Sequence, residues 1–193
     1  MLGNLNELVQ ECTSLIADGG IIVGFLLVLI EAFLPVLPLG AFVTLNINAF
    51  GLFIGLLISW IATTTGCFIA YMLFYYISEN IIFKIISKKT KTKVIEKTKI
   101  FKELTLTQLV LIITMPFTPS FLINILAGIT ELPKKKYLIS LLIGKSLMIT
   151  FWAFIGKSFL ESITNIKAII FIILILSISY LITKIISKKL KID

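Results

Sequence analysis

The chain has 193 residues, 58% of them hydrophobic, and a mean hydropathy of +1.07. A soluble domain has about 45–50% apolar residues, so the composition predicts an integral membrane protein. The length leaves room for one domain, because several helices of about 20 residues would use most of it. The formal charge of +8 comes from 18 lysines without any arginine. Because arginine is the preferred reader of phosphate and guanine, we expect no nucleic-acid partner.

The residue types that most enzymes need are scarce. Histidine is absent, and the 2 cysteines, Cys12 and Cys67, are isolated in the sequence. This pattern argues against a disulfide framework, a histidine metal site and a histidine-based triad. A Ser–Lys hydrolase is also unsupported, because the adjacent Lys145 and Ser146 point apart on a helix. We therefore expect neither enzymatic activity nor a cofactor.

Apolar windows alternate with lysine-rich segments along the chain. The windows comprise residues 20–50, 51–77, 104–132, 137–159 and 166–186, and residues 1–19 precede them as an amphipathic segment. The lysine-rich separators comprise residues 84–103, 134–136 and 188–191. Short lysine-rich loops stay in the cytoplasm, so all of these separators and the C-terminus are predicted on that side.

The first window, residues 20–50, is predicted to be a re-entrant helical hairpin. Its sequence EAFLPVLPLG contains Pro35 and Pro38, and each proline removes a donor and obstructs a continuing helix. The apolar arms of roughly 14 residues are too short to span a bilayer. Residues 1–19 lack lysine and are acceptable outside. The alternative is a kinked spanning helix, whose freed carbonyls neighbouring helices would satisfy.

Glu31 is the only acidic residue deep inside an apolar run, one helical turn before Pro35. Burial of an ionised, unpaired carboxylate costs several kcal/mol, so we expect Glu31 to be protonated, paired or facing water. It is interpreted as a proton-coupling or head-group site. The alternative is a carboxylate that accepts hydrogen bonds from nearby backbone N–H groups at a hairpin tip.

The second window, residues 51–77, is predicted to cross inward to the basic cytoplasmic loop at 84–103. The third window, 104–132, has lysine-rich segments at both ends, so a full crossing would force one of them outside. We expect a second re-entrant hairpin that bends at Pro116 and Pro119.

The two hairpins are expected to oppose each other across the membrane. In each half a P-x-x-P is followed by an asparagine and then a glycine, which indicates a pseudo inverted repeat. The residues concerned are Pro35, Pro38, Asn46 and Gly51 in the first half, and Pro116, Pro119, Asn124 and Gly128 in the second. Asn124 is singled out because its amide can satisfy backbone groups that a broken helix leaves open.

The last two windows, 137–159 and 166–186, are predicted to cross outward and back. Lys145 lies about two helical turns past Tyr137. It can either snorkel to the cytoplasmic head groups or bind a ligand, and a pairing with Glu31 is conjecture. The complete expectation is an all-α polytopic membrane protein with about three full crossings and two opposed hairpins, its N-terminus outside.

Taken together, these motifs resemble the DedA and SNARE-associated superfamily, also called VTT-domain proteins, over roughly residues 20–156. The resemblance rests on E-x-x-x-P-x-x-P, on G-x-x-x-x-Y, on P-x-x-P-x-x-x-x-N-x-x-x-G and on glycines in the closing helix. The residues that carry it are Glu31, Pro35, Pro38, Gly66, Tyr71, Pro116, Pro119, Asn124, Gly128, Gly144, Lys145 and Gly156.

The resemblance implies two opposed hairpins and a lipid translocase or scramblase that moves phospholipid or polyprenyl phosphate between leaflets. For bacterial members it also implies the plasma membrane and dependence on the proton gradient. Two charged groups common in the family are missing, because Ile113 replaces an arginine and Gly40 stands near the place of a second acid. Lys145 is then the remaining phosphate partner. The candidate binding residues are Glu31, Pro35, Pro38, Pro116, Pro119, Asn124 and Lys145.

Two other functions stay open. Hairpins with broken helices also build the sites of small-solute and ion transporters, and the shortage of intramembrane charge is compatible with a membrane assembly factor. The expected partners are membrane lipids and protons. The oligomeric state, including a homo-oligomer, is undetermined by the sequence.

Overall fold

The computed structural model describes residues 2–34, 39–77, 100–162 and 166–189, and within these ranges every regular element is an α-helix. The all-α prediction is therefore confirmed. The helices are α1 (Leu2–Glu31), α2 (Leu39–Phe50), α3 (Leu52–Tyr76), α4 (Leu106–Thr114), α5 (Ser120–Ile129), α6 (Lys134–Ser162) and α7 (Ile166–Lys189). Most of the basic loop at 84–103 lies outside the described residues.

The first proline segment, residues 20–50, folds back on itself. Gly20 is non-helical, with φ 70° and ψ −174°, and it kinks α1. Asn46 Nδ2 donates to the Gly24 carbonyl at 3.2 Å, so α2 lies along the second half of α1. Pro35 and Pro38, which the sequence places at the bend, lie outside the described residues.

The second proline segment, residues 104–132, is interrupted at its proline pair. Helix α4 begins with a capping box between Thr105 and Gln108, because the N-cap hydroxyl and the N3 side chain satisfy each other's open N–H groups. It ends at Thr114, and α5 starts at Ser120 after Pro119. Prolines cannot donate to a helix, so the five residues between the two helices form a turn.

The two ends of the second proline segment lie side by side. Lys136 Nζ, after α5, donates to the carbonyl oxygen of Leu104, before α4. Leu104 also belongs to a buried core cluster with Leu132 and Tyr137. The chain thus leaves this point, turns at the prolines and returns. Whether it does so from one face of a membrane stays a prediction.

Helix α3 packs against three other helices through glycines. A Cβ atom at Gly55 would lie 2.6 Å from the Ile47 backbone of α2. At Gly66 it would lie 2.7 Å from the Leu29 carbonyl of α1, and at Gly128 of α5 it would lie 2.7 Å from the Tyr71 carbonyl of α3. Small residues allow such backbone contacts between membrane helices, and they bring α1, α2 and α5 around one central helix.

Among the described residues, the helices long and apolar enough to cross a membrane are Val9–Glu31, Leu52–Tyr76 and Lys134–Gly156. The last two coincide closely with the predicted crossings at 51–77 and 137–159. The first is longer than the short arm expected from Gly20 onwards, because α1 also contains the helical residues that precede its kink at Gly20. The predicted crossing at 166–186 lies within α7, where Ile173–Ile186 is a shorter apolar helix.

Candidate functional site

A cavity of about 280 Å³ lies where the two proline segments approach each other. It is lined by Glu31, Leu39, residues 116–121, Met148 and Trp152. The first proline segment contributes the end of α1 and the start of α2, the second contributes its turn, and α6 forms the remaining wall. Residues on either side of the first proline pair and the turn at the second pair therefore line one space.

Glu31 is the acidic member of the lining. It ends α1 and is 9% exposed, and its Oε2 atom has no hydrogen-bond partner among the residues that the structure describes. A helix C-terminus carries a partial negative charge, so this position does not favour a carboxylate. The cavity therefore holds a polar group with unused hydrogen-bonding capacity.

Lys145 brings the opposite charge from α6. Its side chain is 1% exposed, and Nζ donates to Ser120 Oγ at 2.7 Å and approaches Met148 Sδ at 3.7 Å. The ammonium therefore stays inside the protein instead of snorkelling. The ammonium donates to the first residue of α5, and no hydrogen bond joins it to the Glu31 carboxylate among the described residues.

A smaller pocket of about 10 Å³ adjoins the cavity, because Thr118 and Ser120 line both. Its walls also include Asn124, Tyr137 and Lys145. Asn124 is 1% exposed, and its Oδ1 accepts from the Tyr137 hydroxyl at 2.7 Å. Asn124 Nδ2 and Thr118 Oγ1 have no partner within the described ranges. The space suffices for about one water molecule, which needs two to four polar partners.

The two places where family charges are missing also face this region. Ile113 lines the smaller pocket, and its side chain packs against Gly144 of α6. Gly40 lies under the Trp152 ring, which would collide with any Cβ atom there. Apolar groups therefore fill the space that charged side chains would need, and Lys145 is the cation that remains next to the cavity in the described part of the chain.

The structure brings together Glu31, Pro116, Pro119, Asn124 and Lys145 around these two adjoining spaces. Pro35 and Pro38 are not described. Sequence reasoning did not single out Trp152 and Tyr137, which approach the site only through the packing of α6. The one sequence signal for Trp152 was its position inside an apolar window, because membrane-interface aromatic residues are enriched at the ends of such windows.

Comparison with known proteins identifies the family. The family model described as VTT domain matches residues 34–158. The chain belongs to the VTT-domain, or DedA, family. This membrane protein is 30% identical over 179 residues to YhjE of Bacillus subtilis strain 168, described as an uncharacterized membrane protein. The alignment covers 92% of this chain and 83% of YhjE. No solved structure matches significantly.

The family match confirms the resemblance inferred from the sequence motifs. It contains both prolines of each pair, Asn124 and Lys145, so most of the candidate site is part of the family domain. Glu31 lies just before the matched region and α7 lies beyond it. With its long apolar helices, this VTT-domain chain is an integral membrane protein.

Proposed function

We propose that this protein translocates a phosphate-bearing lipid, either a phospholipid or a polyprenyl phosphate, between the leaflets of a bacterial plasma membrane. The observation that carries the proposal is the cavity that both proline segments line, with Glu31 in its wall and Lys145 bonded to Ser120 beside it. Buried ionisable groups are expensive in a membrane and usually serve function. The volume of the cavity is close to that of the smallest ligand pockets, about 300 Å³. It therefore suits a lipid head group whose tails remain in the surrounding lipid.

The proposed topology has two opposed re-entrant hairpins related by a pseudo inverted repeat, with the N-terminus outside and the C-terminus in the cytoplasm. The hydrogen bond from Lys136 to Leu104 supports the second hairpin, and the bond from Asn46 to Gly24 supports the first. In this arrangement the two bends meet inside the bilayer. A head group could then pass from one leaflet to the other through a short polar path.

The residues have distinct roles in this proposal. Lys145 and the Ser120 hydroxyl bind phosphate oxygens, since charge-assisted hydrogen bonds are the stronger kind. Asn124 Nδ2 and Thr118 Oγ1 supply further hydrogen bonds in the smaller pocket that adjoins the cavity. Glu31 is the group through which a proton gradient would act, because it is the carboxylate in the cavity wall.

The test uses the purified protein in vesicles that carry a fluorescent lipid in both leaflets and an external quencher. Vesicles with protein should expose inner-leaflet lipid faster than protein-free vesicles. Glu31→Gln, Asn124→Ala and Lys145→Met should slow the exposure. For Lys145→Met we expect a reduction of about tenfold or more, because hydrogen bonds to charged groups contribute about 1.5–3 kcal/mol.

Ser146→Ala is the matched control. Ser146 is the neighbour of Lys145 on α6, but its hydroxyl donates to the Ile143 carbonyl of its own helix. This variant should behave like the wild type. Equal lipid exchange with and without protein would refute the proposal. Flux of a small solute without lipid exchange would support a solute transporter instead, and a stable co-purifying partner without either activity would support an assembly factor.

A further inference from the structure

Phe117 forms the part of the cavity wall that contacts α7. It lines the cavity, and its ring also packs edge-on against Tyr180 of α7, with ring centroids 5.9 Å apart. Trp152 of α6, which lines the cavity as well, contacts the same ring at 6.3 Å between centroids. Tyr180 is not among the described residues that line the cavity. The Phe117 ring therefore lies between the cavity and α7.

The turn that contains Phe117 is the exposed part of this wall. Phe117 is 37% exposed and Pro119 is also exposed, whereas the lining residues Glu31, Leu39 and Met148 are buried. Phe117 lies between α4 and α5 and belongs to neither helix. It can therefore move without breaking a helical hydrogen bond, and the wall can open at this residue.

Helix α7 is attached to the rest of the protein along one narrow face. Most of its described side chains are exposed, and the helix packs mainly against α6. The less exposed side chains share one face of the helix: Ile175, Leu176, Ser179, Thr183 and Ile186. Tyr180 lies beside this face and reaches Phe117 with its ring. Apolar helices in lipid gain little from the hydrophobic effect when they associate, so α7 can separate from the turn at low cost.

We propose that α7 is a gate of the cavity, in which Tyr180 holds Phe117 in the closed position. When the two rings separate, Phe117 turns away and the cavity opens toward the lipid beside α7. Edge-to-face aromatic pairs are favourable but weak, so thermal motion can break this contact. The gate is a property of the two rings, and the inference rests on the proposed lipid translocation only for the identity of what enters.

The test measures access to the cavity with a cysteine in place of Leu39, which is 5% exposed and lines the cavity. Leu39→Cys in a background of Cys12→Ser and Cys67→Ala is reconstituted into vesicles, and the rate of its reaction with N-ethylmaleimide is followed by mass spectrometry. Adding Tyr180→Ala should accelerate labelling about two- to tenfold, the range that corresponds to the loss of one aromatic pair. Phe117→Ala should accelerate it at least as much. Tyr180→Phe keeps the ring and should leave the rate unchanged.

Two controls separate opening of the gate from loosening of the whole fold. Leu181→Ala is the matched variant, because Leu181 follows Tyr180 on α7 and is 55% exposed, compared with 53% for Tyr180. It should leave the labelling rate of Leu39→Cys unchanged. The second control is the native Cys67, which is 0% exposed in the core cluster. In a chain with Cys12→Ser alone, Cys67 should react equally slowly with and without Tyr180→Ala.

The outcomes distinguish the gate from the function that it would serve. Unchanged labelling of Leu39→Cys in Tyr180→Ala would overturn the gate, and so would an equal acceleration at Cys67. Tyr180→Ala should also speed lipid exchange in the vesicle assay. Faster labelling without faster exchange would overturn α7 as the entry route of the lipid. Labelling as expected, without lipid exchange by any of the proteins, would refute the proposed function and leave the gate standing.

Discussion

The two proline segments have the same order of prolines, asparagine and glycine, yet their asparagines make different hydrogen bonds. Asn46 uses its amide nitrogen, which donates to the Gly24 carbonyl and to Ser59 Oγ at 3.1 Å. Asn124 uses its amide oxygen, which accepts from Tyr137, and its nitrogen has no partner in the described part of the chain. Asn46 therefore ties α2 to α1 and α3, whereas Asn124 keeps a donor available beside the candidate site.

The difference shows that equivalent positions in a repeat need not share a role. The first proline segment is joined by the buried Asn46 bonds and supplies Glu31 to the cavity. In the second, Lys136 joins the two ends, and Lys145 bonds to Ser120 at the start of α5. The first segment thus contributes an acceptor and the second contributes donors. Three experiments test this contrast.

The largest expected effect concerns the sidedness of the two segments. In a background of Cys12→Ser and Cys67→Ala, single cysteines at Lys102 and Lys135 should be labelled from the cytoplasmic face only. Cysteines at Asp18 and Phe53 should be labelled from the outer face only. All four native side chains are exposed.

The side from which each cysteine is labelled is measured with membrane-impermeant maleimide on intact cells and on inverted vesicles. Labelling of either pair from opposite sides would show that its proline segment crosses the membrane.

The next effect concerns helix packing, in which the two segments should be alike. Gly66→Leu would push α3 against the Leu29 carbonyl of α1, and Gly128→Leu would push α5 against the Tyr71 carbonyl of α3. Backbone cannot move aside as a side chain can, and overpacking costs about 1–3 kcal/mol. Each variant should lower the Tm of the detergent-solubilised protein by roughly 2–12 °C.

Ala41→Leu is the control for both glycine variants, because it makes a comparable increase in side-chain volume at an exposed position of α2. Its Tm should stay within about 2 °C of the wild-type value, since surface substitutions usually change stability by less than about 0.5 kcal/mol. A normal Tm for Gly66→Leu or Gly128→Leu would contradict the close helix contact at that glycine.

The smallest effect concerns the asparagines, in which the segments should differ. Asn46→Ala removes two hydrogen bonds and should destabilise the protein by about 1 kcal/mol, since membrane hydrogen bonds average about 0.6 kcal/mol each. Asn124→Ala removes one bond and should have about half that effect on Tm, but it should slow lipid exchange more. Thermal unfolding and vesicle assays of both variants measure this. The reverse order in either assay would refute the assigned roles.

Much of the architecture could be predicted from local sequence features. Composition predicts a membrane protein, lysine blocks separate the helices, and Pro116 with Pro119 interrupts one of them because proline excludes a helical hydrogen bond at its own position. The family motifs carry the same information. The window boundary predicted at Gly20 coincides with the kink in α1. The expectation of a short first arm did not include the helical residues before that kink, which make Val9–Glu31 long enough to cross a membrane.

The site could be predicted only in part, because its geometry depends on contacts between distant residues. Snorkelling and inward burial of Lys145 were both compatible with its position in the sequence, and the choice follows from Ser120, which lies 25 residues away. Trp152 enters the cavity because Gly40 leaves room for its ring. Neither pairing leaves a periodic or local signal, so sequence reasoning identified the polar residues but not the neighbours that orient them.

Helix α7 adds a contact that the family domain alone does not contain. Tyr180 packs edge-on against Phe117 in the turn of the second proline segment, with ring centroids 5.9 Å apart, and Phe117 in turn packs against Trp152. The matched region ends at residue 158, well before Tyr180. A chain cut at that boundary would leave the outer edge of Phe117 uncovered. The smallest unit that reproduces this turn is therefore longer than the family domain and extends into the C-terminal helix.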